Sequence, residues 1–440
     1  MKIKPLSLPL LVVATLAFGQ AAHAQTKLLD VLKDENARNA DFWIYNDLAA
    51  ARAEAKRANK PLFVTFRCVP CADCKGFDAE VAKNNQRIKT LAQEAFVAVR
   101  QVEMKGVDLS QFQFDYDLNW AAMFLNADGT VYARYGTQSA KGADAYNSVE
   151  SLEKTMRRVL ALHKNYPANQ AALAGKLGKP KPYKTALQMP GMNHRDKLAG
   201  STARNNCVHC HNIHDAEHEQ LHADGLLSHD ALWRYPLPDN LGLQLDPGDG
   251  LVVSAVQTDS PSAKAGLRPG DALTHAASQA LTSIADLQWV LHNLPNTSAN
   301  VTLKATRGDR AIEKKLAMNA GWKKTDISWR GSLWSIKPAL AVWCAPMKEE
   351  LVKPLRLAKG VKPLEARWIN TGRPEGRNAK RSGLQEGDII IGMEGNPLRM
   401  SSEHFNMHVK LNYKVGDKLP LTLLRKGKRI HFDWPLTDRD

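Results

Sequence analysis

Two stretches of this chain share one glycine-punctuated text, and that repetition limits what it can fold into more than any other feature. Ser260-Pro261-Ser262-Ala263-Lys264-Ala265-Gly266-Leu267-Arg268-Pro269-Gly270-Asp271 is matched, about 120 residues on, by Ala379-Lys380-Arg381-Ser382-Gly383-Leu384-Gln385-Glu386-Gly387-Asp388-Ile389-Ile390. The glycines permit tight turns and close approach of strands. The second copy runs on into Glu394-Gly395-Asn396-Pro397, which reads as a hairpin turn, and a helical stretch from Ser402 to Leu411. At 440 residues the chain is long for one core, and ordinary domain sizes predict three or four units.

Both copies resemble PDZ domains, whose bacterial signature reads S-P-A-x-x-A-G-L-x-x-G-D. The resemblance implies binding by β-augmentation: a peptide adds a strand to a sheet edge and backbone amides hold its terminal carboxylate. Asn240-Leu241-Gly242-Leu243-Gln244-Leu245 looks like the carboxylate loop followed by the pairing strand. Leu241, Gly242, Leu243 and Gln244 are therefore the candidate peptide-binding residues, and the partner is a client polypeptide's C-terminus or an extended segment. The second copy has Lys359-Gly360-Val361-Lys362-Pro363 where a loop is expected, so the first is expected to bind and the second to be partly structural. The Ser-His-Asp chemistry of periplasmic PDZ proteases needs a double-barrel domain, and the chain offers neither a G-x-S-x-G-like stretch nor the length for one.

Three of the six cysteines fall in Phe66-Arg67-Cys68-Val69-Pro70-Cys71-Ala72-Asp73-Cys74-Lys75, after the β-rich run Lys60 to Phe66 and before a segment, Gly76 to Lys89, that can continue as a helix. A thiol at a helix start meets the positive end of the dipole, which lowers its pKa. Asn59 to Lys75 resembles thioredoxin-like proteins of the exported disulfide-reductase kind. The resemblance implies Cys71 as attacking and Cys74 as resolving thiol, and Asn126-Ala127-Asp128-Gly129 fits the family's late β-hairpin. Trp120 stands where that family carries its cis-proline, and Thr65 where it carries a buried acid. Cys68 makes Cys68-Val69-Pro70-Cys71 an equally legal C-x-x-C, so which pair forms stays open, as do a structural disulfide and three-thiolate binding of Cu(I) or Zn(II).

Cys207-Val208-His209-Cys210-His211 has the C-x-x-C-H spacing at which two thiols bond to haem vinyl groups and the histidine ligates iron. Haem c is the expected cofactor, with His211 on the iron. Seven of the fourteen histidines crowd this region, and His194 is the expected opposite ligand, with Met192 as the other choice. Zinc through Cys207, Cys210, His214 and His218, or a plain Cys207–Cys210 disulfide, are the alternatives.

Lys2 and Lys4, the apolar run Leu6 to Phe18 and Ala22-His23-Ala24 read as a signal peptide cleaved before Gln25, implying the periplasm and no transmembrane segment in the mature chain. Net charge is +15, but an exported chain rarely meets nucleic acid, so none is expected as a partner. The basic run 176–204, with Lys176, Lys179, Lys181, Lys184, Arg195, Lys197 and Arg204 against Asp196, suits haem propionates or an acidic partner, or is a solvated linker. Cys344 reads as a buried structural thiol, and Trp322, Trp329, Trp334 and Trp343 as packing that clamps the two PDZ units.

The expected fold is multidomain, α/β and mainly-β. Its order is signal peptide 1–24, thioredoxin-like α/β domain 25–165, small His-rich haem-binding insert 166–235, PDZ-like sandwich or barrel 236–320, Trp-rich connector 321–350 and a second PDZ-like domain 351–440. That order resembles a bacterial thioredoxin-plus-PDZ family, some members of which are selenoproteins. The expected function is thiol-redox or electron transfer, the enzyme class being thiol-disulfide oxidoreductase, with an unspecified redox partner; the alternative is a non-enzymatic PDZ adaptor with structural disulfides or zinc.

Overall fold

A computed structural model describes residues 28–69 and 75–438. The expected signal peptide, Cys71 and Cys74 lie outside the described residues. Among those described, no helix is long and apolar enough to cross a membrane.

Strands Ile44–Tyr45 (β1), Leu62–Arg67 (β2), Val97–Gln101 (β3), Trp120–Leu125 (β4) and Val131–Tyr135 (β5) form one sheet of order β1-β3-β2-β4-β5. β2 to β5 are buried at every residue, which is why they read as continuous apolar runs instead of alternating ones. β3 runs parallel to β1 and β2, β4 is antiparallel to β2, and β5 is antiparallel to β4. The hairpin expected at Asn126–Gly129 joins β4 to β5, with Gly129 at φ +98. Phe63 stacks on Phe124 at 5.0 Å in the core, and Val149–Lys164 is the longest helix packed on it. The helix after the thiols is shorter than expected. Lys75–Ala79 passes into a wide turn, Glu80–Asn84, because Asn85 caps a new helix, Gln86–Ala95, by accepting from Ile88 N.

The two repeat copies build the same element order. The first comprises Leu243–Leu245 (β6), Val253–Val256 (β7), Ala272–Ala276 (β8), Gln279–Ala280 (β9), helix Ile284–His292, Ala299–Arg307 (β10) and Arg310–Met318 (β11). The second comprises Val342–Pro346 (β12), Leu364–Ile369 (β13), Ile389–Met393 (β14), Asn396–Pro397 (β15), helix Ser402–Asn412, Lys418–Arg425 (β16) and Lys428–Pro435 (β17). The aspartate ending each signature explains why it repeats. Asp271 takes Arg307 at 2.7 and 2.8 Å, and Asp388 takes Arg425 at 2.6 Å on each oxygen. The same guanidiniums donate to the Gly266 and Gly383 carbonyls, at glycines whose positive φ (+78 and +104) other residues rarely adopt. Each copy thus closes its turn with one buried carboxylate and one arginine.

The described residues form two compact units: those up to Ala216 with Asp230–Thr325, and Glu217–His229 with those from Asp326 onward. In the first unit the first repeat is fused to the β1–β5 sheet. Ser283 Oγ donates to Arg134 O and Arg134 N to Asp286, while Lys176 pairs with Asp286 at 2.6 Å, both fully buried. Lys176, expected in a solvated or ligand-binding basic run, is therefore a core residue whose charge is matched inside. In the second unit β12 pairs with β13, so this sheet begins upstream of the boundary expected at 351. Trp334 and Trp343, expected to clamp, are 54% and 53% exposed. Cys344 is buried, as expected, and burial pushes its thiol up to about 12.

Candidate functional site

The residues after β3, Val102 to Lys105, form a rail along which the C-x-x-C-H loop is held. Met104 N donates to Val208 O at 3.1 Å, and Glu103 Oε1 accepts from Val208 N at 3.0 Å. Lys105 Nζ bonds the carbonyls of Gly200 and Asn206, and the Cys207 thiol donates to Val102 O at 3.4 Å. Cys207 and Cys210 are buried thiols. Burial, reinforced by the Glu103 carboxylate, drives the Cys207 thiol well above its ordinary range.

This docking carries His209 to Cys68. Cys68 Sγ lies 2.9 Å from His209 Nδ1, across 141 residues of sequence. Burial, then the neighbouring His211, holds His209 below the usual imidazole range, so the ring is neutral and Nδ1 can accept the thiol proton's hydrogen bond. The rings of His209 and His211 lie nearly parallel, with centroids 5.7 Å apart. His211 opens helix His211–Ala223, and its Nδ1 sits 3.1 Å from Asp215 Oδ2. A carboxylate there requires the proton on Nδ1 and makes Nε2 the nitrogen suited to a metal, the support commonly given to ligating histidines.

The other expected ligands are engaged elsewhere. His194 lines a cavity of about 730 Å³ with Leu187, Met192, Arg195 and Lys197, and neither Cys207, Cys210 nor His211 lines it. His214 turns to Arg234 at 2.5 Å and lies with Asp115 and Asp117, their ligand-type atoms within 4.8 Å of one another. His218 Nδ1 is 3.2 Å from the Ser335 hydroxyl. Each zinc-candidate imidazole thus has a partner other than the Cys207–Cys210 pair.

Around Asp78, in helix Lys75–Ala79, lies a charged cluster that sequence reasoning missed. Thr65 is fully buried and donates to Val99 O, so β2 supplies no acid. The acid comes instead from the helix after the thiols. Asp78 takes Arg100 at 2.8 Å on both oxygens, Asn36 at 2.7 Å and the Trp120 indole N–H at 3.1 Å. Arg100 also holds Asp34 at 2.7 and 2.9 Å, and the Arg67 guanidinium lies 3.5 Å from Asp78. Burial alone would push Asp78 up, but Arg100 and then Arg67 more than offset it and hold the carboxyl below the usual range. Trp120 therefore helps orient an anion at the position where a cis-proline was expected. The available signal was an arginine closing or interrupting each of two apolar strands, Arg67 in β2 and Arg100 in β3.

At the expected peptide loop, Leu241 and Leu243 are buried, Gln244 is exposed and Gly242 has φ +74. A Cβ on Gly242 would stand 2.1 Å from Ser260 Cβ, so only glycine fits. Residues 359–363 lie instead between β12 and β13, so they are not the second copy's carboxylate loop.

A thioredoxin-like family profile matches residues 43–127 and a PDZ-domain profile matches residues 252–304. The chain carries a thioredoxin-like domain and a PDZ domain. It is similar to proteins named "Probable periplasmic serine endoprotease DegP-like". That of Pseudomonas savastanoi pv. phaseolicola is 28% identical over 198 residues, 44% of this chain and 39% of the relative. That of Pseudomonas fulva is 41% identical over 83 residues, 18% and 17%; that of Marinomonas sp. is 22% identical over 226 residues, 50% and 45%. The chain spans less than half the length of these relatives. A solved HtrA-type protease with a decapeptide aligns at TM-score 0.21 and 15% identity, covering 32% of this chain and 55% of that one, too low a similarity to carry an argument.

Proposed function

We propose that this chain is a periplasmic thiol-redox protein in which a thioredoxin-like thiol cluster and a c-type haem centre form one site, while PDZ repeats hold an extended client polypeptide. The observation that supports this most is the 2.9 Å contact of Cys68 with His209, since it joins two cysteine motifs that are far apart in sequence. The periplasmic reading is supported by the leader-like N-terminus together with the names of the similar proteins.

In the thiol reaction a Cys71 thiolate attacks one sulfur of a client disulfide, and the other sulfur leaves as a thiolate that takes up a proton. Cys74 then attacks the mixed disulfide. The products are a Cys71–Cys74 disulfide and a client dithiol, two electrons having passed to the client. Cys207 and Cys210 would hold haem by thioethers and His211 Nε2 would ligate iron; bound there, haem would supply one-electron exchange. The donor set fits, because Asp215 fixes the His211 tautomer and the two thiols precede the helix that His211 opens. Zinc is the weaker reading, since His214 and His218 are committed to Arg234 and Ser335.

Trapping tests the thiol chemistry. The Cys74→Ala chain should accumulate a mixed disulfide with a disulfide-bearing peptide, reversed by dithiothreitol and absent from Cys71→Ala. Cys71 should also alkylate near neutral pH faster than a free cysteine, whose pKa is about 8.5. No adduct, with Cys71 inert both in this background and in Cys68→Ala, would make the cluster structural and favour the adaptor reading.

A further inference from the structure

β6 pairs with β7 alone among the described strands, so its other edge is the one an added strand would use. The apolar space that β6 shares with helix Ile284–His292 is already filled from within the same compact unit. Residues 136–148, which leave β5, run along β6 from one end to the other. Before the strand, Tyr146 Oη donates to Asp239 Oδ2 at 2.9 Å and Lys141 Nζ lies 3.4 Å from the other oxygen. Beyond it, Ser148 Oγ donates to the Pro247 carbonyl at 2.8 Å. Between these points Tyr146 is buried in one apolar cluster with Leu241, Leu243 and Leu245 on the strand side and Ile284, Leu287 and Leu291 on the helix.

The helix side is closed as well. Thr137 Oγ1 donates to Gln288 Oε1 at 2.7 Å, and every residue from Ile284 to Trp289 is buried. A helix beside an open groove keeps a face toward solvent, which this one lacks over that stretch. The cavity left among Tyr146, Thr137, Gly250 and Ile284 is about 10 Å³, room for no more than about one water. The segment is also braced internally: Asn147 Oδ1 accepts from Thr137 N at 3.1 Å, Asn147 Nδ2 donates to Ala143 O at 3.1 Å and Tyr135 Oη donates to Ser148 O at 2.9 Å. Held in this form it docks with little further loss of freedom, which a free peptide cannot match.

We propose that residues 136–148 of the thioredoxin-like domain are a built-in plug of the first repeat: with Tyr146 seated among the leucines, they hold its groove shut, and a client enters only by displacing them. This rests on the reading that the first repeat binds peptide. The contact is autoinhibitory, since a groove that is open for only a fraction of the time binds more weakly by that fraction. It also ties the two domains together in both directions, because whatever loosens the segment after β5 opens the groove and whatever fills the groove frees that segment. The seat favours a client that presents an aromatic side chain in place of Tyr146, and a phenol above all, because its hydroxyl can donate to Asp239 as that of Tyr146 does.

The test is fluorescence anisotropy on the whole chain with a labelled decapeptide, Gly-Ser-Gly-Ser-Gly-Ser-Phe-Thr-Tyr-Val. Tyr146→Ala, with unchanged circular dichroism, should bind it at least about tenfold more tightly than the native chain, because the plug has lost its anchor. Tyr146→Phe keeps the ring and the packing and should tighten binding only about threefold, the effect of one hydrogen bond. Saturating peptide should also speed tryptic cleavage after Lys141, whose side chain is 67% exposed while its backbone is held in the short Ser139–Gly142 bridge. If the native chain binds the peptide and neither Tyr146 variant gains affinity or stoichiometry, the proposal is overturned and the peptide reading stands. Cleavage that stays unchanged at saturation would show peptide and segment seated together, which overturns it equally. Binding by none of the three chains, all folded, would overturn the peptide reading of the first repeat and the proposal with it.

Discussion

Purified from a host that matures c-type cytochromes, the intact chain should show a Soret band and a pyridine haemochrome of the two-thioether kind. Cys207→Ala/Cys210→Ala and His211→Ala should each abolish it. The expected change is all-or-none because the thioethers and the iron ligand would come from the same five consecutive residues. The environment favours this use of the cysteines over thiol exchange, since burial and Glu103 keep Cys207 protonated at neutral pH. Asp215→Ala should keep covalent haem while altering its reduction potential, as His211 loses the carboxylate that fixes its ring. Stoichiometric zinc with no Soret absorbance would overturn the haem assignment.

What the sequence disclosed depended on whether a residue's role was local. The repeated Gly-x-x-x-Gly-Asp text was legible because its glycines and aspartate serve turns a few residues long. Even there the partners, Arg307 and Arg425, stand 36 and 37 residues downstream of the aspartates and carried no signal of their own. The β4–β5 hairpin was legible for the same reason. The turn leading into β12 was not, because reading it depended on a glycine and Ala341 takes the left-handed conformation instead. The meeting of Cys68 with His209 was beyond reach, since it depends on the Val102–Lys105 rail capturing a loop a hundred residues away. Lys176 misled for a related cause: in a run of lysines nothing distinguishes the one whose counter-ion, Asp286, is buried.

Replacing Arg100 should be the most destabilising single change in the thioredoxin-like sheet. The guanidinium is the counter-ion of two buried carboxylates, Asp34 and Asp78, with four hydrogen bonds between them. Arg100→Met leaves Asp78 with the Arg67 guanidinium at 3.5 Å and takes from Asp34 the guanidinium it holds, and stranding buried charge in this way costs about 3–5 kcal/mol. The triple variant Arg100→Met/Asp34→Asn/Asp78→Asn should recover much of that loss, because neutral amides strand no charge. The pH dependence gives a second, independent reading with a definite sign. In the native chain the Asp78 carboxyl is held below its ordinary range, so its contribution is complete above about pH 4 and is lost as pH falls through the depressed folded value. In Arg100→Met burial dominates and pushes the same carboxyl up, so protonation then favours the folded state. The native chain should therefore lose stability on acidification, while the variant's deficit should narrow over the same interval. Guanidinium denaturation followed by the fluorescence of buried Trp43 and Trp120 measures both effects. A cost below about 1 kcal/mol for Arg100→Met, within the range of ordinary surface pairs, or a deficit that widens in acid, would show that the cluster around Asp78 is not an ion-paired keystone.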